Sequence, residues 1–151
     1  MGKGHNYVPW REVEYWRCIR CGRCCREYLV PLTLGEAMNL MRKYGPVVIK
    51  KDHKLVLACK PNGDCIFLEW NNGVAYCTIY PERPHVCRMY PFYIRLKPLP
   101  GVSERKAEYL CEDGLKLYVY IDLLCKGVGS GYPVKLIVSR IVANWRDFAG
   151  I

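Results

Sequence analysis

Four cysteines fall within eight residues near the start of the chain, with the spacing C-x₂-C-x₂-C-C. They are Cys18, Cys21, Cys24 and Cys25. A tight loop with this spacing can turn its thiolates toward one point, which is typical of a metal or iron–sulfur site. We therefore expect a fold organised around a metal-binding loop.

The chain is long enough to fold without disulfides, so its many cysteines need another explanation. A chain of 151 residues can bury a core without disulfides, yet this one contains ten cysteines. The sequence shows no apolar signal segment and no apolar run that approaches the length of a membrane span. Cysteine clusters in the reducing cytoplasm are more typical of metal sites than of disulfides. We expect a cytoplasmic protein without membrane association.

The adjacency of Cys24 and Cys25 favours two metal centres that share the loop, since the side chains of neighbouring residues usually diverge. In bacterial ferredoxins, three cysteines of such a run bind one cluster and the next cysteine binds another. By that logic Cys18, Cys21 and Cys24 bind one centre with one remote cysteine, and Cys25 binds the second with three more. The predicted remote ligands are Cys65, Cys77, Cys87 and Cys125.

The two remaining cysteines, Cys59 and Cys111, are expected to be buried thiols. Cys59 is close enough in sequence to Cys65 to be an alternative ligand. All-cysteine sites suit both zinc and iron–sulfur clusters. A run of three cysteines with a neighbour favours one or two [4Fe–4S] clusters, whereas zinc sites more often use two separate C-x₂₋₄-C pairs. Zn²⁺ is the alternative cofactor.

The rest of the sequence predicts short helices and strands. Thr33 and Glu36 have the form of a capping box before a helix that ends at Gly45. A second amphipathic helix begins after Pro133. Strands are predicted at 47–49, 55–57, 65–70, 74–77, 93–96 and 116–121. We expect an α+β, loop-rich single domain, residues 1–151, with short hairpins, a cysteine-ligated core and a C-terminal amphipathic helix.

The hairpin around residues 71–73 determines whether two predicted ligands can meet. A three-residue loop pairs Trp70 with Val74 and places Cys65 and Cys77 on one face of the hairpin. A two-residue loop places them on opposite faces, since a slip of one residue reverses a strand. Only the first register brings both thiols to one cluster along the strands.

A glycine run suggests a cofactor site, and the positive net charge suggests RNA binding. Gly127, Gly129 and Gly131 precede the last helix and are candidate cofactor-binding residues, with a tight turn near Cys125 as the alternative. The formal net charge is +9. RNA binding and a solvated surface both fit that charge. The basic residues closest to the cysteines are Arg17, Arg20, Arg23 and Arg26, which can offset cluster charge or face a partner.

The combined motifs resemble the YkgJ-type CxxCxxCC family, described as zinc- or iron-chelating domains. The resemblance is carried by the first run of cysteines and by four later pieces: Cys65-Ile66-Phe67-Leu68, Cys77-Thr78-Ile79-Tyr80, Arg83-Pro84-x-x-Cys87-Arg88-x-Tyr90-Pro91 and Cys125-x-Gly127-Val128-Gly129-x-Gly131. It implies that the eight cysteines of these pieces are metal ligands. The family includes flagellin lysine N-methylases, which are larger.

Three functions are compatible with this sequence. The leading hypothesis is an iron–sulfur protein that transfers electrons to a redox or protein partner or forms part of a modification enzyme. The second is a zinc-stabilised module that binds RNA or protein. The third is an enzyme like the lysine N-methylases that uses S-adenosylmethionine. The sequence does not decide whether the protein is an enzyme.

Overall fold

The computed structural model describes residues 6–26 and 28–151, and short strands and helices run through this range. The strands are β1 (Tyr7–Pro9), β2 (Tyr15–Trp16), β3 (Val48–Lys51), β4 (Lys54–Leu57), β5 (Leu68–Asn71), β6 (Val74–Cys77), β7 (Phe92–Arg95), β8 (Glu108–Leu110), β9 (Lys116–Asp122) and β10 (Tyr132–Pro133). The α-helices are α1 (Arg23–Arg26), α2 (Leu34–Tyr44), α3 (His85–Met89), α4 (Glu104–Ala107) and α5 (Val134–Ala149). Single 3₁₀ turns occur at Trp10–Glu12 and Tyr80–Glu82.

The described residues divide into two compact units. The cysteine unit comprises residues 20–88, and the sheet unit comprises residues 6–19 and 89–151. The predicted α+β class, the short hairpins and the C-terminal helix are confirmed. The assignment of residues 1–151 to one domain stays a prediction. Within residues 6–26 and 28–151, no helix combines the length and apolar character needed to cross a membrane.

Strand β9 is the centre of the sheet unit. It pairs antiparallel with β1, β7 and β8. Its side chains alternate between two cores, as the period of two in a strand requires. Leu117, Val119 and Ile121 share a core with residues of α5, and Tyr118 and Tyr120 belong to a second core. This strand begins where the sequence predicted it and extends one residue further.

Helix α5 buries one stripe of its surface in the sheet unit. Val134, Val138 and Val142 are buried, at the spacing of an amphipathic helix. The helix ends at Gly150, which has the left-handed conformation that favours glycine. Phe148, near the end of the helix, lies outside this core and is 47% exposed.

Helix α2 provides one wall of the cysteine unit. The Thr33 hydroxyl accepts a hydrogen bond from the Glu36 backbone N–H, and the Glu36 carboxylate accepts one from the Thr33 N–H, which confirms the capping box. Ala37 and Leu40 are the buried residues of this helix. Four other apolar residues of the helix are exposed: Leu34, Met38, Met41 and Tyr44.

The β5–β6 hairpin has the two-residue loop, not the three-residue loop. Asn71 pairs with Val74, and Asn72 and Gly73 both have positive φ angles, as the favoured two-residue turn requires. Strand β5 begins only at Leu68, after a turn in which the Leu68 N–H donates to the Cys65 carbonyl. Cys65 therefore lies outside the hairpin ladder, and the strand register does not determine which way its thiol faces.

The glycine turn before β10 packs tightly in the sheet unit. A Cβ atom on Gly127 would lie 1.8 Å from the backbone oxygen of Arg17, and one on Gly131 would lie 2.5 Å from the Arg17 Cβ. The Arg17 N–H also donates to the Gly127 carbonyl, at 3.2 Å. These contacts match the interpretation of a tight turn. The assignment of Gly127, Gly129 and Gly131 to a cofactor stays a prediction.

Replacing Gly127 with alanine is expected to lower the free energy of unfolding by roughly 3 kcal/mol, because the new methyl group meets backbone that cannot move aside as a side chain can. Urea unfolding followed by circular dichroism measures this. The matched control is Gly35→Ala in α2, where a Cβ meets nothing within 4 Å. That change should be neutral or stabilising by up to about 1 kcal/mol. Equal stability of the two variants would contradict the packing described.

Candidate metal centre

The cysteine loop lies on the β5–β6 hairpin because of one glycine. Gly22 has a φ of +78°, and a Cβ added there would lie 2.9 Å from both the Trp70 ring and the Ala75 side chain. Only glycine allows this close approach without strain. The Cys25 N–H then donates to the Gly22 carbonyl at 3.0 Å as helix α1 begins. The Gly22 contact and this hydrogen bond together place Cys24 and Cys25 beside the hairpin.

Cysteine side chains from four separate segments converge in the cysteine unit. Cys65 is part of its apolar core, and Cys25, Cys77 and Cys87 pack against that core. Burial, followed by the nearby charges of Cys24, Cys65 and Cys77, raises the pKa of Cys87. Burial likewise raises the pKa of Cys65 and of Cys77. Five predicted ligands, Cys24, Cys25, Cys65, Cys77 and Cys87, therefore lie near one another in apolar surroundings.

The expectation that the side chains of Cys24 and Cys25 diverge is wrong. Their thiols form a hydrogen bond, in which the Cys25 thiol donates and the Cys24 sulfur accepts. This bond is the main reason that the pKa of Cys24 is lowered to about 7. The same bond, followed by burial, raises the pKa of Cys25. The two sulfurs therefore lie close together, and the pair can face one centre.

Backbone N–H groups are directed at two of the sulfurs. The Phe67 N–H donates to the Cys65 thiol, and the Ile79 N–H donates to the Cys77 thiol. Each bond lowers the pKa of its thiol and partly offsets the effect of burial. In both turns the donor follows the cysteine by two residues, and N–H bonds to sulfur stabilise the thiolate that a metal needs. The sequence analysis did not find these donors, although both cysteines begin similar four-residue motifs.

Arg83 is a positive charge that acts on this group of thiols, and it was not singled out from the sequence. Its charge lowers the pKa of Cys24, Cys77 and Cys87. Its guanidinium lies 3.9 Å from the centre of the Tyr80 ring, and its Nε donates to the Tyr80 carbonyl. A half-buried arginine held in this way can offset the negative charge of a thiolate cluster. The sequence signal that could have indicated this role was the position of Arg83 in the Arg83-Pro84-x-x-Cys87 motif.

Arg83→Gln is expected to shift the alkylation of Cys24 in metal-free protein to higher pH. Loss of a nearby positive charge raises a thiol pKa, so less thiolate is present at a given pH. In the wild-type protein the alkylation should be half-maximal at about pH 7. Mass spectrometry of iodoacetamide-treated peptides measures the profile. Lys50→Gln, an exposed charge on β3, is the control and should leave it unchanged.

Of the other three predicted ligands, one lies in the cysteine unit and two lie in the sheet unit. Cys21 is half-buried in the cysteine loop, and within residues 6–26 and 28–151 it forms no hydrogen bond or charge interaction with the five. Cys18 and Cys125 belong to the sheet unit. Cys18 is exposed, and the Cys125 sulfur accepts a hydrogen bond from the Trp16 indole at 3.3 Å. The predicted two-centre division of the ligands stays a prediction.

The two cysteines outside the predicted ligand set behave differently. Cys111 is buried in the core of the sheet unit, as expected. Cys59 is exposed, so the expectation of a buried thiol is wrong there. It forms an isolated β-bridge with Cys65, and its charge contributes to the raised pKa of Cys65. This proximity keeps Cys59 as an alternative ligand.

The donor set fits a soft metal. Thiolates select zinc and iron–sulfur clusters, and an apolar setting excludes competing water. Within residues 6–26 and 28–151, no three His, Cys, Asp or Glu side chains are already arranged as a ligand set. Binding therefore requires the thiols to rotate toward a common centre.

Comparison with known proteins gives one match. The model of the CxxCxxCC family, described as a putative zinc- or iron-chelating domain, matches residues 17–113. These residues include the five converging thiols, and the match ends before Cys125 and the glycine turn. It supports metal binding by this part of the chain. Neither the curated proteins nor the solved structures provided a match.

Proposed function

We propose that this chain, which belongs to the CxxCxxCC family, is an iron–sulfur protein whose cluster is held in the cysteine unit. The observation that carries the proposal is that Cys65, Cys25, Cys77 and Cys87 meet at one apolar core, with Cys24 close enough for its charge to act on three of them. A [4Fe–4S] cluster would supply one-electron transfer there. The protein would transfer electrons to a partner or serve as a component of a modification enzyme.

The distribution of the thiols along the chain favours a cluster over a single zinc ion. Structural zinc sites commonly take their ligands from two C-x₂₋₄-C pairs. Here the converging thiols come from α1, the turn at Cys65, the end of β6 and helix α3. They number five, one more than either a tetrahedral zinc ion or a [4Fe–4S] cluster takes, so their number does not separate the two. The spread of the ligands along the chain favours the polynuclear group.

The surroundings of the thiols are suited to holding negative charge. The N–H donors at Phe67 and Ile79 stabilise sulfur charge, and Arg83 adds a positive charge beside three of the cysteines. Hydrogen bonds to sulfur and local charge are the means by which a protein adjusts a cluster potential. No disulfide links the ten cysteines within the described residues, which suits a reducing compartment such as the cytoplasm.

Purification without oxygen, followed by iron and acid-labile sulfide analysis, tests the proposal. We expect a brown protein with iron and sulfide in about equal amounts and at least roughly four irons per chain. Zinc is measured in the same samples. A colourless protein with stoichiometric zinc and no labile sulfide would show that the site holds zinc, and the iron–sulfur proposal would fail.

A further inference from the structure

Two exposed aromatic rings of the cysteine unit have arginines over their faces. Trp70 is 42% exposed and Tyr80 is 51% exposed. The Arg26 guanidinium lies 5.7 Å from the centre of the Trp70 ring, and those of Arg20 and Arg83 lie 5.9 Å and 3.9 Å from the centre of the Tyr80 ring. All three distances are within the range of cation–π attraction.

The cysteine loop itself brings these groups to one surface. The Ala75 N–H donates to the Arg20 carbonyl at 3.1 Å, which fixes the start of the loop on strand β6. Gly22 then packs against the Trp70 ring. Arg20 and Arg26 therefore lie at the two ends of a loop that is held on the hairpin. We name Arg20, Arg26, Trp70, Tyr80 and Arg83 the arginine–aromatic surface.

The positive charge of this surface is not neutralised within the described residues. Glu82, which follows Tyr80 closely in sequence, accepts hydrogen bonds from Lys43 and Tyr44. Glu69, beside Trp70, pairs with Lys60. Among residues 6–26 and 28–151, none of the ion pairs uses Arg20, Arg26 or Arg83. Arg20 and Arg26 are therefore available to an anionic partner, whereas the charge of Arg83 also acts on the thiols.

We propose that the arginine–aromatic surface binds single-stranded RNA. Unpaired bases stack on exposed aromatic rings and on guanidinium planes, while arginines neutralise the phosphates between them. Single-stranded loops and ends are the parts of RNA that proteins read by such stacking. Charge alone would suit any polyanion, but exposed rings with arginines over them also provide stacking. This inference does not depend on which metal the cysteines hold.

Fluorescence anisotropy with a labelled, unstructured RNA of about 12 nucleotides tests the proposal on the metal-loaded protein. We expect binding at low salt that weakens as salt rises from about 50 to 200 mM. The double variant Arg20→Ala/Arg26→Ala should bind about tenfold more weakly and lower the salt slope by about 1.4, as the loss of two phosphate contacts predicts. The matched control, Lys50→Ala/Lys51→Ala, removes equal charge from the exposed β3 strand and should change affinity less than about twofold.

The stacking contribution needs its own variant. Tyr80→Leu should weaken binding about fivefold to 150-fold, the measured range for one base stacked on a ring, and leave the salt slope unchanged. Metal content of each variant, measured in parallel, separates loss of the RNA surface from loss of the metal. If Arg20→Ala/Arg26→Ala binds weakly while it retains full metal content, the proposal is supported independently of the metal.

Four results would overturn the proposal. The first is no binding of RNA by the wild-type protein at low salt, and the second is an equal loss in the two double variants. The third is competition by polyglutamate as strong as competition by RNA, which would indicate a merely cationic surface. Equal or tighter binding of DNA with the same sequence would be the fourth, since it would assign the surface to single-stranded DNA.

Discussion

Cys87→Ala is expected to remove most of the metal from the purified protein and to lower its melting temperature. Cys87 packs against the apolar core together with Cys25, Cys65 and Cys77, so its loss takes one donor from the centre of the group. Metal-binding energy is also folding energy, because the unfolded chain has no preformed site. Elemental analysis and thermal unfolding of the same preparation measure both effects.

The control is Cys111→Ala, which removes a buried thiol from the core of the sheet unit. We expect it to retain wild-type metal content and to cost about 1–2 kcal/mol of stability through lost packing. Full metal content in Cys87→Ala, or equal metal loss in the two variants, would contradict the assignment of Cys87 as a ligand.

Removal of the metal by chelation is expected to lower the melting temperature by about 10 °C or more. Apparent binding energies for structural zinc in small peptides are about 10–16 kcal/mol, and each kcal/mol corresponds to about 2–4 °C in a domain of this size. Differential scanning calorimetry before and after chelation measures the change. Reloading with the native metal should restore the original melting temperature, and an unchanged melting temperature after complete removal would show that the metal does not stabilise the fold.

The effect of pH follows from the direction of the pKa shifts. Burial raises the pKa of Cys65, Cys77 and Cys87, yet a bound metal requires their thiolates, so binding releases protons and weakens as pH falls. In metal-free protein, by contrast, stability falls as pH rises. A raised pKa in the folded state contributes stability below the ordinary thiol pKa of 9.0, and that stability is lost as pH rises above it. Calorimetry in buffers of different ionisation enthalpy measures the released protons.

Local sequence signals predicted the secondary structure well where they were strong. The capping box at Thr33 and Glu36 and the alternating strand β9 are both present, because their causes lie within a few residues. The hairpin register was also available from the sequence, since Asn72-Gly73 is a typical two-residue turn. The position of Cys65 could not be predicted from the sequence, because it depends on a turn before β5 and on its bridge to Cys59.

The surroundings of the thiols depend on contacts between distant segments, which spacing alone does not give. Cys24, Cys25, Cys65, Cys77 and Cys87 were named from the sequence, and the structure brings all five together. Arg83 and the N–H donors of Phe67 and Ile79 were not named, because they act through tertiary proximity. Their roles appear only once the loop, the hairpin and helix α3 are in place.

The most direct test of the central claim is X-ray absorption at the metal edge of protein purified without oxygen. We expect a first shell made of sulfur, at about 2.3 Å if the metal is zinc, with no substantial contribution from nitrogen or oxygen. An iron–sulfur cluster would add a shell of neighbouring iron atoms. A first shell dominated by nitrogen or oxygen would show that the converging cysteines do not hold the metal.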